Sequence, residues 1–184
     1  MLLVFDDRPS DSPFIERVWR CRSERAGTFL SVASPHWEMV VTRHRGRTTL
    51  TLRGPETRPT DAHCPAEGEW VAIRFRLGTF MPAIPVAKLL DRSDLELPEV
   101  VENRSFRLAG AAWEYPGFET AETFVARLVR SGVIARDPAV EAALQGDARA
   151  LSQRSAQRHF LHRPAFAGHV DHIALADLIL QQGE

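Results

Sequence analysis

The chain has 184 residues, of which 44% are hydrophobic and 26% charged, as in an ordinary soluble globular protein that can bury one good core. The formal net charge of -1 does not indicate a nucleic-acid-binding protein. No apolar stretch approaches the roughly 20 residues of a membrane span, and acidic residues close to the start argue against a signal peptide. With two cysteines, too few for a disulfide framework, we expect a cytoplasmic protein with reduced thiols and no membrane association.

The first part of the chain has the pattern of short antiparallel strands. Residues 1–12 are expected to form an extended lead-in, and residues 14–24 alternate apolar and charged side chains as a half-buried strand does. Gly46 lies in an Arg-Gly-Arg sequence between two segments rich in Thr, Val and Leu. That arrangement predicts a tight hairpin whose turn is made by the glycine.

Further strands are expected at residues 69–77 and at Ser105–Leu108. The polar, proline-containing segment 54–68 is predicted to be a loop, in which Cys64 would be a plain surface cysteine. Antiparallel strands of this kind close into small barrels that commonly hold a pocket. We therefore predict an α+β protein that begins with a small antiparallel β-barrel over residues 1–116.

The periodicity of apolar residues becomes helical from Glu119 onward. Apolar side chains recur on one face of this segment, arginines lie opposite, and Gly132 is expected to end the helix. Asp137 followed by Pro138 predicts the start of a second helix, because Asp is a favoured N-cap and Pro is favoured at the first helical position.

Two more helices are expected, at residues 152–162 and 169–182, which makes 117–184 a C-terminal helical segment. The last of them would be apolar on nearly all sides, and such a helix requires burial. We therefore expect it to pack against a second copy of the chain or against the β-rich domain, with a homodimer as the expected assembly.

The segment ALSQRSAQRHFLHR has the spacing Ser-x-Arg-x-x-x-Arg-x-Phe at Ser152, Arg154, Arg158 and Phe160. It resembles the recognition-helix segment of the AraC family of bacterial transcription regulators. The strand-rich part before it, with VWR and RFRLGTFMP, is similar to the cupin-like N-terminal sensory domain of one branch of that family. The resemblance covers essentially the whole chain, and it implies a regulator that binds a small-molecule effector in its barrel and duplex DNA through a helix-turn-helix region.

The residue types of the recognition segment suit DNA, since Arg and Gln can make paired hydrogen bonds to base edges and a helix N-terminus can hold a phosphate. The expected DNA-binding residues are Ser152, Gln153, Arg154, Gln157 and Arg158. The family has two helix-turn-helix units, whereas only the first part of that region precedes Glu184, and GHVDHIALADLILQQ lacks the arginines of the family's joining helix. We therefore expect DNA binding to be weak or lost because of this truncation, since affinity depends largely on phosphate contacts.

The effector pocket is expected to combine apolar aromatic walls with a few polar groups. The candidates are Trp19, His36, Trp37, Glu38, Arg74, Phe75 and Trp113. For each aromatic side chain, ordinary core packing is the alternative interpretation.

The alternative function is a cupin-like small-molecule binding protein or a metal-dependent enzyme without DNA binding. His36 and Glu38, with His44 further on, invite comparison with the metal ligands of cupin enzymes, but the His-x-His pair and the following Glu are missing. Four histidines between residues 159 and 172 have i, i+3 spacing, yet no cysteine lies near them. We therefore expect no enzyme activity, no catalytic residue, no metal site and no cofactor.

Overall fold

The computed structural model describes residues 3–84, 88–91 and 95–144. The helices within these ranges are α1 (Ala121–Arg130) and α2 (Pro138–Leu144). The strands are β1 (Leu3–Pro9), β2 (Ile15–Ser23), β3 (Gly27–Ser31), β4 (Glu38–His44), β5 (Arg47–Arg53), β6 (Thr60–Cys64), β7 (Glu69–Phe75), β8 (Thr79–Phe80), β9 (Leu95–Glu96), β10 (Glu99–Val101), β11 (Ser105–Leu108), β12 (Ala111–Glu114) and β13 (Ala135–Arg136).

A six-stranded antiparallel sheet in the order β1-β2-β7-β4-β5-β9 organises the molecule. Three smaller sheets accompany it: β10-β11-β12, the pair β13-β8 and the pair β3-β6. The predicted hairpin is confirmed, since β4 and β5 are joined by Arg45 and Gly46, with φ of 50° and 75°. Both residues are left-handed, as the tight turn between twisted strands requires.

One face of the six-stranded sheet packs into the hydrophobic core. On β5 the predicted period of two is confirmed, because Thr48, Leu50 and Leu52 are buried while Arg47 is exposed. Ile73 on β7 belongs to the same buried cluster. We call this surface of the sheet the core face.

Helix α1 covers the core face as its periodicity predicted. Ala121, Phe124, Val125 and Leu128 are its buried residues. The helix ends where Gly132, at φ 69°, donates its N–H to the carbonyl of Val129 at 2.9 Å. Helix α2 begins at Pro138, directly after Asp137, which also agrees with the prediction.

Two segments that were not predicted to be strands, the extended lead-in and the loop 54–68, each contain one. The lead-in contains β1, an edge strand whose acidic residues pair with arginines of β2, and this polar edge lacks the apolar alternation that marks a half-buried strand. The predicted loop 54–68 contains β6, which pairs with β3 from Gly27↔Cys64 to Ser31↔Thr60. Cys64 is 4% exposed, so its assignment to the surface was wrong. We call this pair of strands the β3–β6 ribbon.

The prediction of an α+β protein with a β-rich first part and helices after it is confirmed as far as the described residues extend. Closure into a barrel is not seen among them, because the strand order starts at β1 and stops at β9 without pairing back. The helices expected at 152–162 and 169–182 lie outside the described residues. Within the described ranges, no helix has both the length and the apolar character needed to cross a bilayer.

Candidate functional site

A cavity of about 320 Å³ lies between the β3–β6 ribbon and the six-stranded sheet. Its walls come from β1, β2, β4 and β7 on the sheet side and from both strands of the ribbon. We call this surface of the sheet the cavity face. A volume of this size lies near the lower end of the range for small-molecule sites, roughly 300–1,000 Å³.

The pleat of the strands decides which residues line the cavity. On β4, Glu38 and Val40 line it, whereas Met39 between them belongs to the buried core cluster. In the neighbouring strands Trp19 is opposite Ala72, and Ala72 is opposite Val40. The same row of cross-strand partners therefore forms the centre of the cavity face.

A buried carboxylate organises one end of the cavity. Glu38 is 5% exposed, and its Oε1 accepts hydrogen bonds from Arg74 Nε at 2.6 Å and from Trp19 Nε1 at 3.2 Å. In the sheet register, Glu38 is opposite both Arg74 on β7 and Arg53 on β5. The ion pair of the Glu38 carboxylate with the Arg74 guanidinium is the main electrostatic feature of this end, and Trp19 adds a neutral donor.

His36 and Glu16 flank this arrangement. The Nδ1–H of His36 donates to the carbonyl of Phe75 at 2.8 Å, which leaves Nε2 facing Glu16 Oε2 at 3.5 Å. The same Glu16 oxygen is 4.0 Å from Arg74 Nε. It is buried, and within the described residues it has no hydrogen-bond partner. These two side chains therefore extend the polar end behind Arg74.

The other end of the cavity is apolar. Leu3, Phe5 and Trp70 contribute to its walls, together with the free thiols Cys21 and Cys64. The Phe5 ring stacks on Trp19 with centroids 5.6 Å apart. Burial raises the pKa of the Cys21 thiol, and the nearby Cys64 adds to the effect, so this thiol is held in its neutral form.

Hydrogen bonds fasten the sheet to the segment that follows the ribbon at this apolar end. Ser23 accepts the Gly68 N–H at its Oγ at 2.9 Å, and its hydroxyl donates to the carbonyl of Pro65 at 2.5 Å. The Cys64 thiol lies 3.5 Å from the carbonyl of Gly27 across the ribbon. The wall around the two thiols is therefore held by backbone contacts as well as by packing.

The structure divides the predicted pocket residues into two groups. Trp19, His36, Glu38 and Arg74 line the cavity together. Trp37, Phe75 and Trp113 do not line it and belong instead to the buried core cluster.

The excluded aromatic residues belong to the core. Trp37 stacks on Phe75 with centroids 3.9 Å apart, and its Nε1 donates to the carbonyl of Thr79 at 2.7 Å. Trp113 packs edge-on against Phe124 at 6.3 Å. The interpretation as ordinary core packing therefore holds for these three side chains.

Several lining residues were missed from the sequence. Cys21 follows Trp19 by two positions on β2, and Trp70 precedes Arg74 by four on β7, so strand periodicity could have found both. The ribbon residues Ala62 and Cys64 carry no such signal, since β6 was not recognised as a strand, and Phe29 lies on its partner strand β3.

The expected DNA-binding residues, Ser152, Gln153, Arg154, Gln157 and Arg158, lie outside the described residues. Among the residues described, no three His, Cys, Asp or Glu side chains are grouped so that they could hold a metal ion. Comparison of the chain with protein-family models, with curated proteins and with solved structures found no match.

Proposed function

We propose that the chain is the sensory and dimerisation part of a cytoplasmic transcription regulator similar to the AraC family, with a cupin-like domain that binds a small-molecule effector. The observation that carries the proposal is the cavity between two β layers, with aromatic walls and a buried Glu38–Arg74 pair. An apolar cavity with a few fixed polar groups is the usual form of a small-molecule site. Two facing β layers around such a cavity support the cupin-like description.

The DNA-binding part of the proposal rests on the resemblance of the segment Ala150–Arg163. In this proposal Arg154, Gln157 and Arg158 contact bases, and Ser152 and Gln153 lie at the phosphate backbone. The effector would act by changing how the helices after the cavity are arranged, which requires different effector affinities in the two arrangements.

Native mass spectrometry tests the effector site and the assembly together. The purified chain is measured alone and after incubation with a small-molecule extract of bacterial cells. We expect a dimer that keeps an organic adduct. Ala62→Trp fills the cavity and should abolish the adduct, whereas Ala126→Trp, on the exposed side of α1, should keep it. An adduct that survives Ala62→Trp, or the absence of any adduct, contradicts the proposed site.

DNA binding is tested separately by fluorescence anisotropy with a labelled duplex of mixed sequence at low and high salt. We expect weak binding that falls as salt rises and that is lost in Arg154→Ala/Arg158→Ala. Arg104→Ala/Arg107→Ala, at exposed positions of β11 and the turn before it, is the matched control for charge. Binding that survives the first pair of substitutions contradicts the recognition-segment assignment, and no binding at all favours a binding protein without DNA activity.

A further inference from the structure

We infer that the cavity takes an elongated amphiphile with an acidic group, held with that group at Arg74 and its apolar body toward Cys21 and Cys64. This inference rests on the proposed effector site and adds the chemical class and the orientation of the ligand. Three features carry it: the separation of polar and apolar walls, the hydrogen-bonding state of the polar end, and the apolar rim.

The register of the strands separates the two ends. Glu38 is opposite Arg74 at one end of the cavity face, and Thr42 is opposite Trp70 at the other, where Cys21 is the next partner. Arg74 and Trp70 are four residues apart on β7, which corresponds to about 13 Å at roughly 3.3 Å per residue. The ribbon repeats this order, with Ser31 toward the polar end and Cys64 at the apolar end. A ligand that matches both ends has a polar group at one end and an apolar body.

At the polar end, Arg74 keeps hydrogen-bond donors that have no partner among the described residues. Glu38 Oε1 already accepts from Arg74 and Trp19. Arg74 donates its Nε–H to Glu38, and its terminal nitrogens make no hydrogen bond to the residues that the structure describes. A guanidinium has further donors on those nitrogens, arranged to receive a carboxylate in paired hydrogen bonds. The missing partner is therefore an acceptor.

The neighbouring carboxylates of Glu16 and Glu56 do not accept hydrogen bonds from the terminal nitrogens of Arg74. Glu16 does not line the cavity, although 35% of its side chain is exposed, whereas Arg74 lines it with 29% of its side chain exposed. Glu56, also in the cavity wall, accepts from the Ser31 hydroxyl at 3.3 Å. At Glu38, a cationic ligand would have to displace Arg74 or Trp19 from Oε1. An acidic group meets the exposed guanidinium without such a rearrangement.

The rim of the cavity suits an apolar body. Phe5, Leu30 and Val32 line the cavity and are 57%, 62% and 75% exposed. Large side chains that remain exposed around a concave site are typical of a surface that a ligand covers. The acidic amphiphile would remove part of this apolar surface from water, which adds to the attraction at Arg74.

Three probes with one tail and different heads test the ligand class: decanoate, decanol and decylammonium, each below its micellar concentration, by isothermal titration calorimetry. We expect decanoate to bind about tenfold more tightly than decanol, as one charge-assisted contact predicts. Arg74→Met should remove that preference and keep decanol binding, while Arg107→Met, at an exposed position of β11, should change neither. Glu38→Gln/Arg74→Met, which does not leave the buried Glu38 carboxylate without its arginine, repeats the test if the single variant does not fold.

The outcomes separate this inference from the proposed function. Equal binding of decanoate and decanol, or tightest binding of decylammonium, overturns the acidic class while the cavity remains a ligand site. If none of the probes binds although native mass spectrometry shows a cavity-dependent adduct, the amphiphile class is wrong and the effector site stands. If neither experiment detects a ligand, the proposed function fails as well.

The orientation has its own readout in the two thiols. Saturating decanoate should slow the alkylation of Cys21 and Cys64 by N-ethylmaleimide several-fold, because the tail would cover them. Acetate, which has the head without the tail, should leave the alkylation rates unchanged. Decanoate that binds without slowing either reaction overturns the orientation.

Discussion

The two faces of the six-stranded sheet are made by the same strands and differ in almost every other respect. The core face is closed by α1 and the β11–β12 hairpin, and its side chains belong to one buried cluster. The cavity face carries a guanidinium–carboxylate pair, two free thiols and a slot of about 320 Å³ under the β3–β6 ribbon. The core face therefore contributes buried packing that stabilises the fold, and the cavity face lines a space that a ligand can enter.

The difference shows how a small sheet can hold a site without losing its core. Because side chains alternate along a strand, Met39 can be fully buried while Glu38 and Val40 beside it face the cavity. Substitutions on the core face should act mainly on folding, and those on the cavity face mainly on ligand binding. The following predictions test that division, beginning with the largest effect.

Phe106→Ala should lower the free energy of unfolding by about 3–5 kcal/mol, because a fully buried ring that contacts Tyr115 and Phe124 leaves a void in the core. Phe29→Ala, on the ribbon and 37% exposed, should cost less than about 1 kcal/mol. Urea unfolding followed by circular dichroism measures both. Equal losses would mean that the ribbon is as important to the core as α1 is.

Gly54→Ala probes the place where the cavity wall meets the core. A Cβ at this position would collide with the backbone carbonyl of Leu89, so the chain must shift, at a cost of about 1–3 kcal/mol. In the control Gly117→Ala, the nearest atom to the new Cβ is Thr120 Oγ1 at 3.5 Å, an ordinary contact. The same urea experiment should show a clear loss for the first variant and little change for the second. If Gly54→Ala leaves the free energy of unfolding unchanged, the backbone at Leu89 moves aside at little cost.

Glu122→Gln tests the link between the edge strand β1 and helix α1. Arg8 donates to both oxygens of Glu122 at 2.6 and 2.9 Å, and Ser10 donates at 2.9 Å. These hydrogen bonds, chiefly that from Arg8, hold the pKa of the Glu122 carboxyl at about 2 against an ordinary value of 4.5, although burial opposes them. Because the folded-state pKa is depressed, the ionised carboxylate stabilises the fold above pH 4.5, and this contribution is lost as the pH falls toward 2.

The expected advantage of the native chain over Glu122→Gln is about 1 kcal/mol at pH 7, since the Glu122 side chain is 35% exposed and solvent screens the pair. Urea unfolding at a series of pH values should show the two proteins converging between pH 4.5 and 2. Glu114→Gln, at an exposed position of β12, should show no such convergence. A difference that does not depend on pH would mean that the side chain acts by packing and not by charge.

Part of the candidate site could be predicted from the sequence, and strict use of strand alternation would have predicted more of its lining residues. His36 and Glu38 lie on one side of their segment and Trp37 on the other, and the same holds for Arg74 and Phe75. Grouping all of these in one pocket ignored the alternation that the strand prediction itself used. The ribbon half of the site had no comparable signal, because β6 is polar and its paired residues on β3 lie 29 to 37 positions earlier in the chain.

The sequence by itself determined the elements whose cause is local. Residues 14–24, the turn at Gly46, the buried face of α1 and the start of α2 after Asp137 follow from alternation, a left-handed glycine, helical spacing and a cap. Only the tertiary structure decided that residues 3–9 and 60–64 are strands, and that the ribbon covers the cavity face. Edge strands with polar residues gain their hydrogen bonds from a partner, so their conformation depends on long-range pairing and not on their own pattern.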